Sequence, residues 1–402
     1  MPRSGWRRPV SDRRLSDLVS VGVLARVFPP GVVDEAVAAA GRREARHRLL
    51  PARVMTYYAV AMALYAEGSY EDVLGLLVDG LSWASGSREQ ERLPGKSAVF
   101  YARERLGFEP VRALFERTAR PLGGLGAPGV WLAGRRMVAV DGTCLDVADT
   151  AANEEFFGRP GSARGERAAF PQARVLALAE CGTHAVLAAE AGPLSSSENA
   201  LAGPLIERAV TASDVLLADR GFFSAKLWVR ARATGAHLLW RVKTGASGPK
   251  PVPVRELEDG SWIGRLRLAG TNRPGPVEVR VVDYEIDDGR ANPSRYRLGT
   301  TILDPVAAPA GDLARAYTQR WEIEMVFDEL KTHQRGARQV LRSKSPALVL
   351  QEIWGHLCCH YAIRSLMAEA AAPEGRDPDR VSFTATLRIV RSTLAQPGAF
   401  PP

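Results

Sequence analysis

Fifteen consecutive residues, Tyr317-Thr-Gln-Arg320-Trp321-Glu322-Ile-Glu324-Met-Val-Phe-Asp328-Glu329-Leu-Lys331, constrain this chain more than any other stretch. Tyr317, Arg320, Glu324 and Lys331 follow one another at helical offsets of 3, 4 and 7. On a straight α-helix, at about 100° per residue, all four project within a sector of roughly 60°. A solvated helix usually pairs Glu with a Lys four residues on, whereas here the lysine lies two turns beyond the acid. One carboxylate flanked by two cations and a phenol suits metal and phosphate. The alternative is an exposed amphipathic helix, and only the rest of the chain can decide between them.

Two more acids occur where a metal-dependent enzyme would want them. Asp141 lies inside an apolar strand pattern, Val138-Ala-Val-Asp141-Gly142-Thr143, and Asp219 ends another, Leu216-Leu-Ala-Asp219-Arg220-Gly221. A carboxylate there loses hydration unless it is paired or holds a cation. Taken singly, each could be a capped strand end or an acid bonded to turn amides. Three converging carboxylates can instead hold two Mg²⁺ ions about 4 Å apart, the arrangement used to cleave and transfer phosphodiesters. Asp146, Asp149, Glu322, Asp328 and Glu329 compete for these roles, and Asp328, four residues after Glu324, is the most serious rival.

These residues resemble the DDE transposases of bacterial insertion sequence 4 type. Tyr317, Arg320, Glu324 and Lys331 match that family's Y-x2-R-x3-E-x6-K signature without a gap. Asp141-Gly142-Thr143 looks like its first acidic motif and Asp219-Arg220-Gly221-Phe222 like its second, with Asp149, Asn153 and Phe157-Gly158 as supporting matches. The resemblance implies a transposase that binds element ends, cuts phosphodiester bonds and joins 3′ ends to target DNA, using two Mg²⁺ ions that Mn²⁺ can replace. It implies Asp141, Asp219 and Glu324 as catalytic metal ligands, and DNA contacts from Tyr317, Arg320, Lys331, Trp321 and Arg220. It also implies a homodimer assembled on DNA, and an aromatic in a β insertion that holds a flipped base, for which Trp262 is the candidate. A core role for Trp262, sharing a face with Leu266 and Leu268, stays open. So do a transposase-derived DNA-binding protein without catalysis and a nuclease of the same fold.

The remaining pattern agrees with a multidomain α/β protein of 402 residues. Ser11 to about Leu125 is helically patterned, with a capping box at Ser69 and Asp72. A short basic helix carrying Arg103 and Arg105 could read a DNA groove. A Gly/Pro-rich boundary follows, and from Met137 the order is three strands, helix, strand, helix, strand, as in a ribonuclease H-like sheet. An antiparallel β insertion is expected at about 243–294. The expected domains are 1–125, helical; 130–372, catalytic; and 373–402, a tail.

Lys+Arg 53 against Asp+Glu 45 gives a net charge of +8, carried mostly by arginine, which suits phosphate. Four cysteines without a CxxC pair indicate reduced thiols and, with no signal peptide or membrane-length apolar run, a cytoplasmic, nucleoid-associated protein. His356, Cys359 and His360 share helical spacing, more economically explained by packing than by a metal.

Overall fold

A computed structural model describes residues 22–46, 48–85, 94–161, 167–243, 249–267, 276–286, 294–336 and 340–394. The helices begin with α1 (Gly22–Val27), α2 (Pro30–Ala39), α3 (Ala52–Leu64), α4 (Tyr70–Ser85), α5 (Lys96–Leu106) and α6 (Glu109–Thr118). The strand-rich region follows, with β1 (Trp131–Leu132), β2 (Arg135–Asp146), α7 (Ala151–Phe157), β3 (Gln172–Glu180), β4 (Val186–Pro193), α8 (Glu198–Ala209), β5 (Asp214–Ala218), α9 (Ala225–Ala233) and β6 (His237–Arg241). Then come β7 (Pro251–Glu256), β8 (Trp262–Leu266), β9 (Val277–Ile286), β10 (Ser294–Thr300), α10 (Ala310–Thr318), α11 (Glu322–Asp328), α12 (Pro346–Ala371) and α13 (Phe383–Leu394).

Two compact units result. The first takes residues 22–118, 333–363 and 384–394, and the second takes 119–332 and 364–383. The division falls near the boundary expected at about 125. Residues 333–363 and 384–394 pack within the helical unit.

In that unit α3 is apolar on every side and buried almost throughout, as a central helix must be. Its hydroxyls are satisfied locally: Tyr57 donates to the Phe28 carbonyl at 2.5 Å and Tyr58 to the Tyr70 carbonyl at 2.9 Å. The capping box forms as the sequence indicates, with the Ser69 amide on Asp72 and the Asp72 amide on Ser69 Oγ, both at 3.0 Å. Arg103 does not face a groove. It is buried, and its guanidinium donates to Gln351, Tyr70 and Ser343 at 2.8, 3.0 and 3.1 Å. Arg105 is turned onto the Leu50 carbonyl and Glu44. Both arginines expected to read bases, in the last turn of α5, are therefore engaged within the unit. His356 is likewise a packing residue, bonded to Gln334 at 3.1 Å.

The second unit holds a ten-stranded sheet in the order β4-β3-β2-β5-β6-β10-β9-β8-β7, with β1 paired to β2. β2-β5 and β5-β6 are parallel and the other pairs antiparallel. Strands β2 to β6 with α8 and α9 make the ribonuclease H-like core. The helices cover one face through Leu205, Ile206, Leu227 and Trp228 over Val138, Val140, Leu216 and Trp240. The antiparallel insertion is present and extends the same sheet: β10 returns beside β6, and β9, β8 and β7 continue outward. Leu268, expected on the Trp262 face, lies outside the described residues.

Candidate active site

Strand register makes the first two acids neighbours. In the parallel β2-β5 pair, Val140 lies opposite Ala218, so Asp141 and Asp219 follow side by side where β5 ends. Adjacent strands are about 4.8 Å apart, which brings the two carboxylates into one cluster. Each takes a backbone donor that fixes its orientation: Gly142 N–H to Asp141 Oδ1 at 2.8 Å, and Gly221 N–H to Asp219 Oδ1 at 2.7 Å. Gly142, inside β2, leaves room for the Glu198 side chain, whose Oε1 would stand 2.7 Å from a Cβ there.

The third acid arrives on α11. Arg320, 6% exposed, bridges the site, with Nη1 3.4 Å from Asp141 Oδ2 and Nη2 3.0 Å from Glu324 Oε1. Glu324, and not Asp328, therefore faces the aspartates. Asp328 is exposed and accepts the Thr332 hydroxyl at 2.7 Å. Tyr317 is buried and gives its hydroxyl hydrogen to the Ala218 carbonyl at 3.3 Å. The phenol thus braces the strand end that carries Asp219 rather than offering a free donor. Burial pushes its pKa well up, so it remains a donor at any working pH.

Asp219, Asp141 and Glu324 line a cleft of about 250 Å³ with Arg220, Arg241, Tyr296, Tyr317, Arg320 and Trp321. Lys331 is not among them. The sequence argument assumed one straight α-helix, but Gln319–Trp321 is a 3-10 turn and Glu329–His333 a π-helical turn. The π turn widens the helix at Lys331 itself, and the lysine lies outside the lining of the cleft. Lys331 lies close enough to Cys144 of β2 to act on its thiol electrostatically. Trp262 is also elsewhere. It packs half-buried against the core, gives its indole N–H to Asp283 at 3.1 Å, and has Arg297 over its ring at 5.5 Å.

The insertion does bring an aromatic to the cleft, and it is Tyr296. Its ring stacks on Tyr284 at 5.3 Å between centroids and carries the Arg241 guanidinium at 4.0 Å. Sequence reasoning missed Arg241 and Tyr296, because they are 55 positions apart (296 − 241) and meet only through the β6-β10 pairing. Arginine at the end of a strand that returns beside Asp219 was the available signal.

Burial pushes Asp141 up to about 6, against the opposing pull of the Gly142 amide and Arg320, with Asp219 and Glu198 raising it further. Three carboxylates there offer oxygen ligands of the kind a hard divalent cation takes, and Asp141, Asp219 and Glu324 are the residues that could hold it.

Comparison with known proteins gives the family. Residues 18–116 match the family described as insertion element 4 transposase N-terminal, and residues 132–362 match the transposase DDE domain. The chain belongs to the insertion sequence 4 type DDE transposases. It is 30% identical to transposase InsG for insertion sequence element IS4 of Escherichia coli K12, over 94% of this chain and 85% of that one. It is 24% identical to putative transposase InsZ of the same organism, over 57% of this chain and 74% of the relative. Among solved structures, the piggyBac transposase synaptic complex with hairpin DNA aligns with a TM-score of 0.48 and 13% identity, over 93% of this chain and 79% of that one. As a DDE transposase the protein is a DNA-cleaving and transferring enzyme, and among its described residues no helix is long and apolar enough to cross a membrane.

Proposed function

We propose that Asp141, Asp219 and Glu324 are the catalytic carboxylates of this transposase and that they act on the ends of its own insertion element. The observation that carries this reading is Arg320, which ties Asp141 to Glu324 inside a cleft that Asp219 also lines. When bound, two Mg²⁺ ions, which Mn²⁺ can replace, would activate the attacking oxygen and stabilise the leaving one. The chain's own residues supply the rest. The Gly142 and Gly221 amides hold the aspartates in place, and Arg320 keeps Glu324 turned toward them. Arg220 and Arg241 offer guanidinium groups to the scissile strand's phosphates. Tyr296 and Trp321 offer ring faces to an unstacked base. Lys331, outside the cleft, meets a phosphate further along the duplex. The freed 3′ ends are then joined to target DNA by a homodimer assembled on DNA in the cytoplasm, at the nucleoid.

The test uses the full chain with labelled element ends, a target plasmid and Mg²⁺ or Mn²⁺. Asp141→Asn, Asp219→Asn and Glu324→Gln are each expected to abolish cleavage and joining while leaving end binding intact, because an amide keeps the shape and loses the charge. Cleavage at the wild-type rate by any of the three would remove that residue from the site.

A further inference from the structure

Glu322 opens α11 two residues before Glu324, yet it does not line the cleft. Its carboxylate instead accepts the Gly182 amide, in the turn between β3 and β4. That turn also holds His184 at φ 57°, a left-handed conformation uncommon for a residue with a side chain. His184 is 1% exposed. Its Nε2 lies 3.2 Å from Asp379 Oδ1 and 3.7 Å from Glu322 Oε2, is sealed from solvent, and makes no aligned hydrogen bond. Asp379 comes from the 3-10 turn Pro378–Arg380, held by its amide on Asp377.

These spacings fit ligands of one shared cation. The three donor atoms all lie within 4.8 Å of one another. Two ligands about 2.0–2.1 Å from a zinc-sized ion at tetrahedral angles stand roughly 3.3 Å apart, close to both separations of the imidazole nitrogen from its acids. The other imidazole nitrogen, Nδ1, is met by Arg364 Nη2 and stands 3.6 Å from Glu329 Oε1. Glu329 is gripped in turn by Arg364, whose Nε donates to it at 3.0 Å and whose Nη2 reaches its other oxygen. Within the cluster, three carboxylates (Glu322, Glu329 and Asp379) face the guanidinium of Arg364, whose Nη1 is 3.6 Å from Asp379. With a neutral imidazole the cluster, in which His184 is buried and Asp379 exposed, carries two negative charges in excess, the charge of one divalent ion.

We propose that His184, Glu322 and Asp379 form a second divalent-metal site, separate from the carboxylate cleft, that takes a borderline transition-metal ion such as Zn²⁺. An imidazole ligand turns the preference away from Mg²⁺, so the two sites differ in the metal they select. The ion pins three segments together: the β3-β4 turn, the 3-10 turn and the first residue of α11. Its role is to fix the start of the helix that carries Glu324.

The experiment isolates this site by removing the other. The full chain carrying Asp141→Asn, Asp219→Asn and Glu324→Gln together is titrated with Co²⁺ and followed by visible absorption, metal content and thermal unfolding. One equivalent of Co²⁺ is expected, with visible bands, a raised Tm and no displacement by excess Mg²⁺. Adding His184→Gln or Asp379→Asn should remove that equivalent. No uptake by the triple variant would overturn the proposal and leave the cluster as a protein-only ion network. So would retention of the equivalent by a folded His184→Gln variant. If both added substitutions unfold the chain, the stoichiometry and Mg²⁺ resistance of the triple variant decide alone.

Discussion

Asp141 is a carboxylate that the fold buries, and its pH behaviour follows from that. Its pKa rises from 3.8 to about 6 on folding, chiefly through burial. Between those values the folded protein holds a proton that the unfolded chain has released, so metal-free stability falls as pH rises from about 4 to about 6 and stays lower above. Asp141→Asn should therefore stabilise the metal-free protein at pH 8 by on the order of 1–3 kcal/mol and give no such gain at pH 4, read by urea unfolding. Cation binding runs the other way, because the carboxylate must shed its proton first. Divalent-metal affinity at the cleft should drop as pH falls through 6, measurable by Mn²⁺ titration. Arg320 is the second residue to probe. Lysine cannot reproduce a fork that spans Asp141 and Glu324, so Arg320→Lys should lower cleavage by roughly 10²-fold, as loss of an oriented charge typically does. Near-normal cleavage by the lysine variant would mean that only the charge matters. The three acids and Arg320 were legible in the sequence because local spacing and strand position place them. Asp328 was excluded only by geometry, since two acids four residues apart look equivalent on a helix until the neighbouring strands are in place.

At the scale of elements, the sequence conveys periods better than phases. β5 and α8 were readable from composition and caps to within a residue or two, with Ser197 accepting from the Ala200 amide at 3.2 Å. What could not be read is where Tyr317 to Lys331 departs from ideal α geometry, because offsets of 3, 4 and 7 fit a straight helix and carry no sign of a 3-10 or π turn. The insertion shows the same limit. Its strands were visible, but which ring reaches the cleft depends on β10 lying beside β6, and this selects Tyr296 over Trp262. The two substitutions should separate accordingly. Tyr296→Ala removes a stacking face and should weaken binding of cleaved element ends by about 5- to 100-fold, the worth of one base-aromatic stack. Trp262→Phe should leave end binding unchanged and lower Tm slightly, through loss of the bond to Asp283 and of core contact. Weakened end binding by Trp262→Phe with Tyr296→Ala unaffected would return the base-holding role to the tryptophan.

At the scale of the molecule, the helical unit is assembled from three separated stretches, and that decides how its role can be tested. A pattern of helices followed by strands suggests an N-terminal domain that can be cut away near residue 120. The chain instead sends residues 333–363 and 384–394 back into it. Within this unit Arg103 bonds Gln351 and Ser343, Phe115 packs on Trp354 at 5.6 Å, and Arg391 caps the Leu64 carbonyl at 2.6 Å. Such long-range closure leaves no mark on local periodicity, since α12 reads only as a long apolar helix. Deleting residues 1–120 would strip α12 of its partners and expose Ile353, Trp354 and Leu357, so the truncated chain should aggregate rather than behave as a free catalytic domain. Point substitution is the better probe. Arg103→Met removes three buried hydrogen bonds and should cost about 2–4 kcal/mol of stability, measured by urea unfolding. Because Arg103 is buried, the salt slope of DNA binding by the folded variant should match the wild type. A shallower slope at unchanged stability would show instead that Arg103 reaches a phosphate, and would restore the groove-reading role that its position after a tight turn first suggested.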